Sequence, residues 1–388
     1  MLTQIINGRI LTPQGWLEDG SVLISNGKIL EVTNSDLAVI GAKVVDAKGM
    51  SIVPGFVAMN VHGGGGHDFT ECSEEAYRTI VSTHLKHGAT TIFPTLSSSS
   101  SDTILKGAGI CEQLMAEKGS SVLGLHLEGP YLNPKMAGNL YAGTLKEVEA
   151  EEYQAILEKT KCIKRWDISP ELPGAHEFVR YIRAKGILAA VTHTEAEFDE
   201  IRTAYEAGFT HAAQFYNAMP GFHKRREYKY EGTVESVFLI DDMTVEVIAD
   251  GKHLPATILR LVYKLKGADK TCLVTDALSY AGSDLQPAAD DRLIIDDGVC
   301  KLADHSSLAG SIATMDVLIR TMVQKADIPL EDAVCMASTT PARLMGVDDR
   351  KGSLQRGKDA DIVVLDRNLN VRAVWSEGVL VPEANTLV

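Results

Sequence analysis

Eight short apolar segments alternate with amphipathic helical patterns through the middle of this chain, and this alternation constrains its fold most strongly. The segments, which we predict to be β-strands, cover residues 57–62, 90–95, 122–128, 163–169, 188–193, 210–214, 245–250 and 272–276. Six helical patterns lie between them, at residues 74–87, 101–118, 146–159, 175–185, 197–207 and 255–266. Most of these helical patterns end directly before a glycine, which closes helices readily. Repeated strand–helix units predict an α/β fold, a parallel (β/α)8 TIM barrel.

A doubly wound parallel sheet is the alternative fold for the same alternation. Its dinucleotide-binding form carries a GxGxxG loop after the first strand. The four glycines found there, at residues 63–66, have neither that spacing nor the lysine of a phosphate-binding loop. They are consistent with a flexible loop or with backbone that approaches a ligand closely.

Both ends of the chain are rich in predicted strands. Near the N-terminus, residues 21–25 and 28–32 flank an Asn-Gly pair, which is a strong hairpin signal. Near the C-terminus, residues 361–366 and 371–375 are also predicted to be strands. We therefore predict a small β-sandwich domain built from residues 1–53 and 347–388, with the barrel, residues 54–346, inserted between its halves.

Composition narrows the class of protein and the partners. With 45% hydrophobic and 23% charged residues, the chain is neither disordered nor fibrous. The net charge of −14 disfavours nucleic-acid binding. Six scattered cysteines without a CxxC pair indicate reduced thiols, and no signal peptide or membrane span is expected. The predicted location is cytoplasmic, with no membrane partner.

Polar residues stand at the ends of six predicted strands, where the apolar runs stop. They are His62, Glu128, His193, Gln214, Asp250 and Asp276. The carboxyl ends of barrel strands carry the active site in this fold. Histidine and glutamate are good ligands for a divalent transition metal, and an aspartate can take a proton from metal-activated water. The set indicates a hydrolase, although His193 alone is as consistent with a core histidine, and His126 is predicted to be structural.

A basic cluster, His223-Lys224-Arg225-Arg226, follows the sixth predicted strand. Arginine clusters near a turn suit a phosphate group. A solvated basic loop is the alternative interpretation.

The motifs PGFVAMNVHGGGG, HLEGPYLNP, VTHT, QFYNAMPG, ADGKH, VTDA, LAGS and GKDADIVVLD, in this order, resemble N-acetylglucosamine-6-phosphate deacetylases of the amidohydrolase superfamily. The resemblance covers nearly the whole chain. It implies a metal-dependent barrel with a composite β domain, a homodimer, and cleavage of the acetamide of a sugar phosphate.

The resemblance also implies roles for individual residues. Glu128 and His193 match metal ligands, Gln214 stands where the family has a third ligand, and Asp276 matches the catalytic aspartate. The implied substrate-binding residues are Asn139, Asn217, Ala218, Arg226 with Arg225 as the alternative, His253 and Leu308. Arg226 corresponds to an arginine that reaches the phosphate across the dimer.

Three departures from the family pattern bear on the metal and the substrate. The first strand ends in Asn60-Val61-His62 where many members have His-x-His, and Gln214 replaces a histidine. His62 is the residue that could compensate, so we expect one divalent ion per chain, Zn, Fe or Mn, on Glu128, His193, Gln214 and His62. Leu140 replaces a loop histidine that the family is thought to use to polarise the substrate carbonyl.

The expected function is therefore deacetylation of N-acetylglucosamine 6-phosphate. The alternatives are the galactosamine isomer, a cyclic amide, or a sugar-phosphate-binding protein that has lost catalysis.

Overall fold

Eight parallel strands form the predicted barrel in the structure, a computed structural model that describes residues 2–34, 37–137, 143–287, 293–305 and 307–387. The first to eighth barrel strands are Phe56–Val61, Ala89–Ser97, Leu125–Glu128, Ile163–Ile168, Leu188–Val191, His211–Ala212, Thr244–Ile248 and Thr271–Val274. Each pairs in parallel with its neighbours in chain order. The eighth strand returns to the first through a backbone bond from Asp276 N–H to the Asn60 carbonyl, 3.2 Å. The predicted fold class and strand order are confirmed.

Helices separate most of the barrel strands, as the sequence pattern predicts. The α-helices are Glu74–Lys86, Ser101–Met115, Ala150–Lys159, Ala175–Arg183, Phe198–Ala207, Thr233–Leu239, Ala256–Lys266, Met315–Arg320, Leu330–Ala337 and Thr339–Leu344. A π-helical turn, Thr321–Lys325, continues the eighth of them, and 3-10 turns occur at Phe69–Glu71, Ala268–Lys270 and Pro382–Ala384. None of the helices in the described part of the chain is long and apolar enough to cross a membrane.

Strands from both termini form a second, mixed sheet. Its strands are Leu2–Thr12, Gly15–Ser25, Lys28–Thr33, Lys43–Asp46, Ser51–Pro54, Ile362–Leu365, Val371–Ser376 and Val379–Leu380. The predicted sandwich is one continuous hydrogen-bonded sheet whose two halves share a core that includes Ile10 and Trp375. The first strand pairs with two successive neighbours along one edge, and its pairing with the strand on the other edge shifts register between Ile5 and Ile10. The exact domain boundaries at residues 53 and 347 stay predictions.

Three groups of short strands lie outside the two large sheets. They are Gly63–Gly64 with His67–Asp68, the hairpin His223–Arg225 with Tyr228–Tyr230, and the three-stranded sheet Leu293–Asp296, Val299–Leu302 and Leu308–Gly310.

The glycines after the first barrel strand pack closely against other parts of the chain, and Gly63 packs against backbone. A Cβ atom on Gly63 would lie 2.4 Å from the His67 carbonyl and 2.7 Å from the Ser279 nitrogen. The Gly63 carbonyl accepts a 2.8 Å hydrogen bond from Nε2–H of His84. The close approach predicted for these glycines is therefore made to the chain itself.

His84 gives the fold a defined acid sensitivity. Burial lowers the pKa of His84 to about 4, and its buried Nδ1 has no hydrogen-bond partner among the described residues. The unfolded chain binds a proton here below pH ~6.5 and the folded chain does not, so stability falls as the pH drops from 6.5 towards 4. The loss reaches about 3 kcal/mol at the lower limit.

We expect His84→Gln to remove this dependence. The melting temperature of the wild type minus that of the variant should decrease as the pH falls from 7.5 to 5. Both are measured in the presence of a chelator. Thr83→Ser, on the same helix as His84, changes no titratable group, so it is the matched control and should keep a constant difference. A constant difference for His84→Gln as well would contradict the assignment.

Candidate active site

A cavity of about 870 Å3 opens at the carboxyl ends of the barrel strands. The predicted site residues that line it are His62, Glu128, His193, Gln214, Asn217, Ala218, His253, Asp276 and Leu308. Arg225 and Arg226 do not line it, and Asn139 and Leu140 lie outside the described residues. The structure thus brings nine of the predicted residues to one cavity.

Glu128 stands at the centre of this group. It is the last residue of the third barrel strand and is only 2% exposed. Its Oε1 lies 3.2 Å from His193 Nε2 and accepts a 2.7 Å hydrogen bond from the Gln214 amide. Its Oε2 lies 3.1 Å from His62 Nε2. One carboxylate therefore joins residues from the first, fifth and sixth strand ends.

The side-chain amide nitrogen of Gln214 donates hydrogen bonds to both Glu128 and His193. His193 donates its Nδ1–H to the Met136 carbonyl at 2.9 Å, which leaves Nε2 as an acceptor in the neutral ring. The Gln214 amide nitrogen lies 2.8 Å from that Nε2 and 2.7 Å from Glu128 Oε1. Its two hydrogens therefore bridge the imidazole and the carboxylate.

His62 lies between two carboxylates. Its Nε2 is 3.1 Å from Glu128 Oε2 and 3.1 Å from Asp276 Oδ1, while Ser97 Oγ lies 2.9 Å from Nδ1. Burial alone would lower the pKa of His62, but the hydrogen bonds and charges of Asp276 and Glu128 outweigh it and raise that pKa. Burial would likewise raise the pKa of Glu128, yet His193 and His62 lower it. The site therefore favours an ionised Glu128 beside a protonated His62.

Three of these residues have left-handed backbone. The φ angles are 43° at His193, 36° at Gln214 and 48° at Asp276, and each is the second residue after the end of its strand. Non-glycine residues rarely adopt such angles, and they persist where the surroundings hold them. The strand ends therefore turn sharply at the points that place these side chains in the cavity.

A charged network fills the barrel interior below the site. Arg165 bonds both Asp167 and Glu246, and all three are fully buried. His126 lies 3.0 Å from Asp167, in agreement with the structural role predicted for it. The Asn60 amide donates to Glu246 Oε1 at 3.0 Å, so this position serves the network. Sequence reasoning missed Arg165, Asp167 and Glu246, although charges within the predicted strands at 163–169 and 245–250 were the available signal.

The two arginines of the basic cluster differ in their contacts. Arg225 pairs with Glu197 at 2.6 Å and stacks on the Tyr230 ring at 3.7 Å. Arg226 is exposed at the turn of the hairpin, with a φ angle of 54°. Of the two, Arg226 makes no ion pair or ring contact with the residues that the structure describes.

The central residues fit a divalent metal ion. Each of His62, Glu128 and Asp276 offers one ligand atom, and these atoms lie within 4.8 Å of one another. Glu128 Oε1, His193 Nε2 and the Gln214 amide form an adjoining group with separations of 2.7 to 3.2 Å. Imidazole, carboxylate and amide oxygen are donors that such ions accept. Gln214 can offer its oxygen to an ion once its amide turns over.

The model of the amidohydrolase family matches residues 51–381, from the last strand before the barrel into the C-terminal strands. The chain is 31% identical to an N-acetylglucosamine-6-phosphate deacetylase of Haemophilus influenzae over 95% of this chain and 96% of that protein. The chain belongs to this family of amidohydrolases. Similarity extends to an N-acetylgalactosamine-6-phosphate deacetylase of Escherichia coli O157:H7, 29% identical over 98% of this chain and 99% of the other.

Solved deacetylase structures share the whole architecture. That of the N-acetylglucosamine-6-phosphate deacetylase from Pasteurella multocida superposes with a TM-score of 0.92 at 26% identity, covering 98% of this chain and 99% of that one. A mutant of the Mycobacterium smegmatis deacetylase in complex with N-acetyl-D-glucosamine-6-phosphate gives 0.89 at 29% identity, with the same coverage. Both the barrel and the composite sheet of this amidohydrolase therefore have counterparts in its relatives.

Proposed function

We propose that this amidohydrolase cleaves the acetamide of N-acetylglucosamine 6-phosphate to glucosamine 6-phosphate and acetate. The observation that carries the proposal is the Glu128 carboxylate, which joins His62, His193 and Gln214 with Asp276 beside them. Relatives that match this chain over nearly its full length carry that activity in their names.

The proposed roles follow from chemistry and position. Glu128, His193, Gln214 and His62 would hold one divalent ion, zinc, iron or manganese, which when bound polarises an amide carbonyl and lowers the pKa of water. Asp276 takes a proton from the attacking water and then gives a proton to the amine nitrogen as the C–N bond breaks. Water and acetamide are thereby converted to acetate and a free amine, and the atoms balance.

The sugar phosphate is proposed to lie towards the sixth and seventh strand ends. Asn217 and Ala218 follow the sixth strand, and His253 follows the seventh. Leu308 belongs to the short sheet that borders the same cavity. Asn139 stays a predicted contact on the loop after Glu128.

Arg226 is proposed to reach across a homodimer to the phosphate of the substrate bound in the partner subunit. Arg226→Ala should raise KM about tenfold to a hundredfold with little change in kcat, because a charge-assisted contact to phosphate contributes ~1.5–3 kcal/mol. Steady-state kinetics measure both constants. Arg225→Ala is the matched control, and its KM should change less than about threefold. Equal effects of the two changes would contradict the assignment.

The function is tested by acetate release from N-acetylglucosamine 6-phosphate, with bound metal quantified on the same sample. Turnover with about one ion per chain supports the proposal. Absence of acetate with any added divalent ion would overturn it and favour a binding protein or a cyclic amide substrate.

The galactosamine isomer is the second candidate, since the Escherichia coli O157:H7 relative acts, by its name, on N-acetylgalactosamine 6-phosphate. Comparing kcat/KM for the two epimers decides between them. The homodimer and the cytoplasmic location also stay predictions, and light scattering measures the first of these.

A further inference from the structure

A tight turn after the seventh barrel strand carries the sequence Asp250-Gly251-Lys252-His253. Asp250 Oδ1 accepts hydrogen bonds from the backbone N–H groups of Lys252 and His253, both at 2.8 Å. Gly251 has a φ angle of 74°, in the left-handed region that favours glycine. These bonds fix the Asp250 carboxylate, whose side chain is 3% exposed.

The second carboxylate oxygen of Asp250 is turned to the His253 ring. Oδ2 lies 2.7 Å from His253 Nδ1, a short contact typical of a charge-assisted hydrogen bond. The His253 ring is 6% exposed and lines the active-site cavity. Among the residues that the structure describes, none bonds to its Nε2.

The turn itself does not require a carboxylate. An asparagine side chain closes such turns as well as an aspartate, because both accept backbone N–H bonds through one oxygen. Aspartate and asparagine differ here only in their contact with the His253 imidazole. A carboxylate accepts the Nδ1–H, whereas an amide NH2 would donate towards Nδ1. The side chain of Lys252 points to Asp297, at 2.7 Å, and takes no part in this contact.

We infer that Asp250 is a positioning residue, which holds His253 with Nδ1–H turned to the protein and Nε2 presented to the cavity as an acceptor for a sugar hydroxyl. The ionised state of Asp250 is consistent with this arrangement. Burial by itself would raise the pKa of Asp250, but the hydrogen bonds from His253 and the backbone outweigh it and lower that pKa. The inference rests on the proposed function only for the identity of the ligand.

The test is Asp250→Asn, which keeps the turn and reverses the polarity at Nδ1. Nitrogen-15 NMR of the imidazole, assigned with His253→Ala, should show Nδ1–H in the wild type and Nε2–H in the variant. KM for N-acetylglucosamine 6-phosphate should rise about fivefold to tenfold, the cost of one misdirected hydrogen bond, with kcat within about twofold. Unchanged tautomer and unchanged KM would overturn the inference.

Two controls separate positioning from a structural loss. Asp316→Asn changes another Asp–His pair, Asp316 with His87 at 3.1 Å, which does not line the cavity, and it should leave KM unchanged. In a His253→Ala background, Asp250→Asn should add nothing to KM, because it acts through His253. A further increase in that background would also overturn the inference.

These experiments distinguish a failure of the proposed function from a failure of the inference about Asp250. If the wild type releases no acetate, the dissociation constant of N-acetylglucosamine 6-phosphate, measured by calorimetry, replaces KM. The tautomer experiment needs no ligand, so an Nε2–H tautomer in the wild type refutes the inference whatever the substrate. Should Asp250→Asn fail to fold, Asp250→Glu is the second variant and should retain the wild-type tautomer.

Discussion

Asp276→Asn is expected to reduce kcat by at least about a thousandfold while KM changes less than about threefold. The reason is that the same carboxylate serves two proton transfers, from the attacking water and to the departing amine. Its Oδ1 lies 3.1 Å from His62, at the edge of the group around Glu128. Steady-state kinetics with N-acetylglucosamine 6-phosphate measure both constants.

Bound metal must be measured on the same sample of the Asp276→Asn variant, because Asp276 is also within reach of an ion held by His62 and Glu128. A full complement of metal with lost turnover identifies proton transfer as the role of Asp276. Loss of metal in proportion to activity would make Asp276 a ligand instead. Asp68→Asn, an aspartate lining the same cavity, is the matched control and should keep most of the activity.

Much of the site could be predicted because the carboxyl ends of parallel strands converge. His62, Glu128, His193 and Asp276 each follow an apolar run, so placing eight strands in a barrel places these side chains together. The same logic predicts the fold, since strand order in a barrel follows chain order. No contact between distant residues needs to be known for either step.

Details that depend on side-chain direction could not be predicted. Period-two alternation assigns Asn60 and His62 to the same inward face, but it does not show that Asn60 bonds Glu246 below the site. The left-handed backbone at Gln214 leaves no trace in hydrophobic periodicity. The register shifts between Ile5 and Ile10 in the terminal sheet are likewise not specified by the alternation pattern.

Glu128→Gln should lower metal affinity at least about a hundredfold and bring turnover below detection. The carboxylate is the one group shared by both sets of donors, with Oε1 towards His193 and Gln214 and Oε2 towards His62. A neutral amide there removes the charge that a divalent ion needs, and its NH2 places a donor where His62 or the Gln214 amide requires an acceptor. Metal content after dialysis, followed by competition with a chelator, measures the affinity.

Gln214→His provides the opposite change at the same centre. An imidazole in place of the amide is a stronger ligand, so metal affinity should increase about tenfold, while Glu195→Gln, at an exposed glutamate paired with Lys135, should leave it unchanged. If Gln214→His has no effect while Glu128→Gln abolishes binding, the ion is held on the His62 side of Glu128, and Gln214 acts only as a donor to that carboxylate. If Glu128→Gln keeps its metal, neither donor set is the metal site and the proposed mechanism fails.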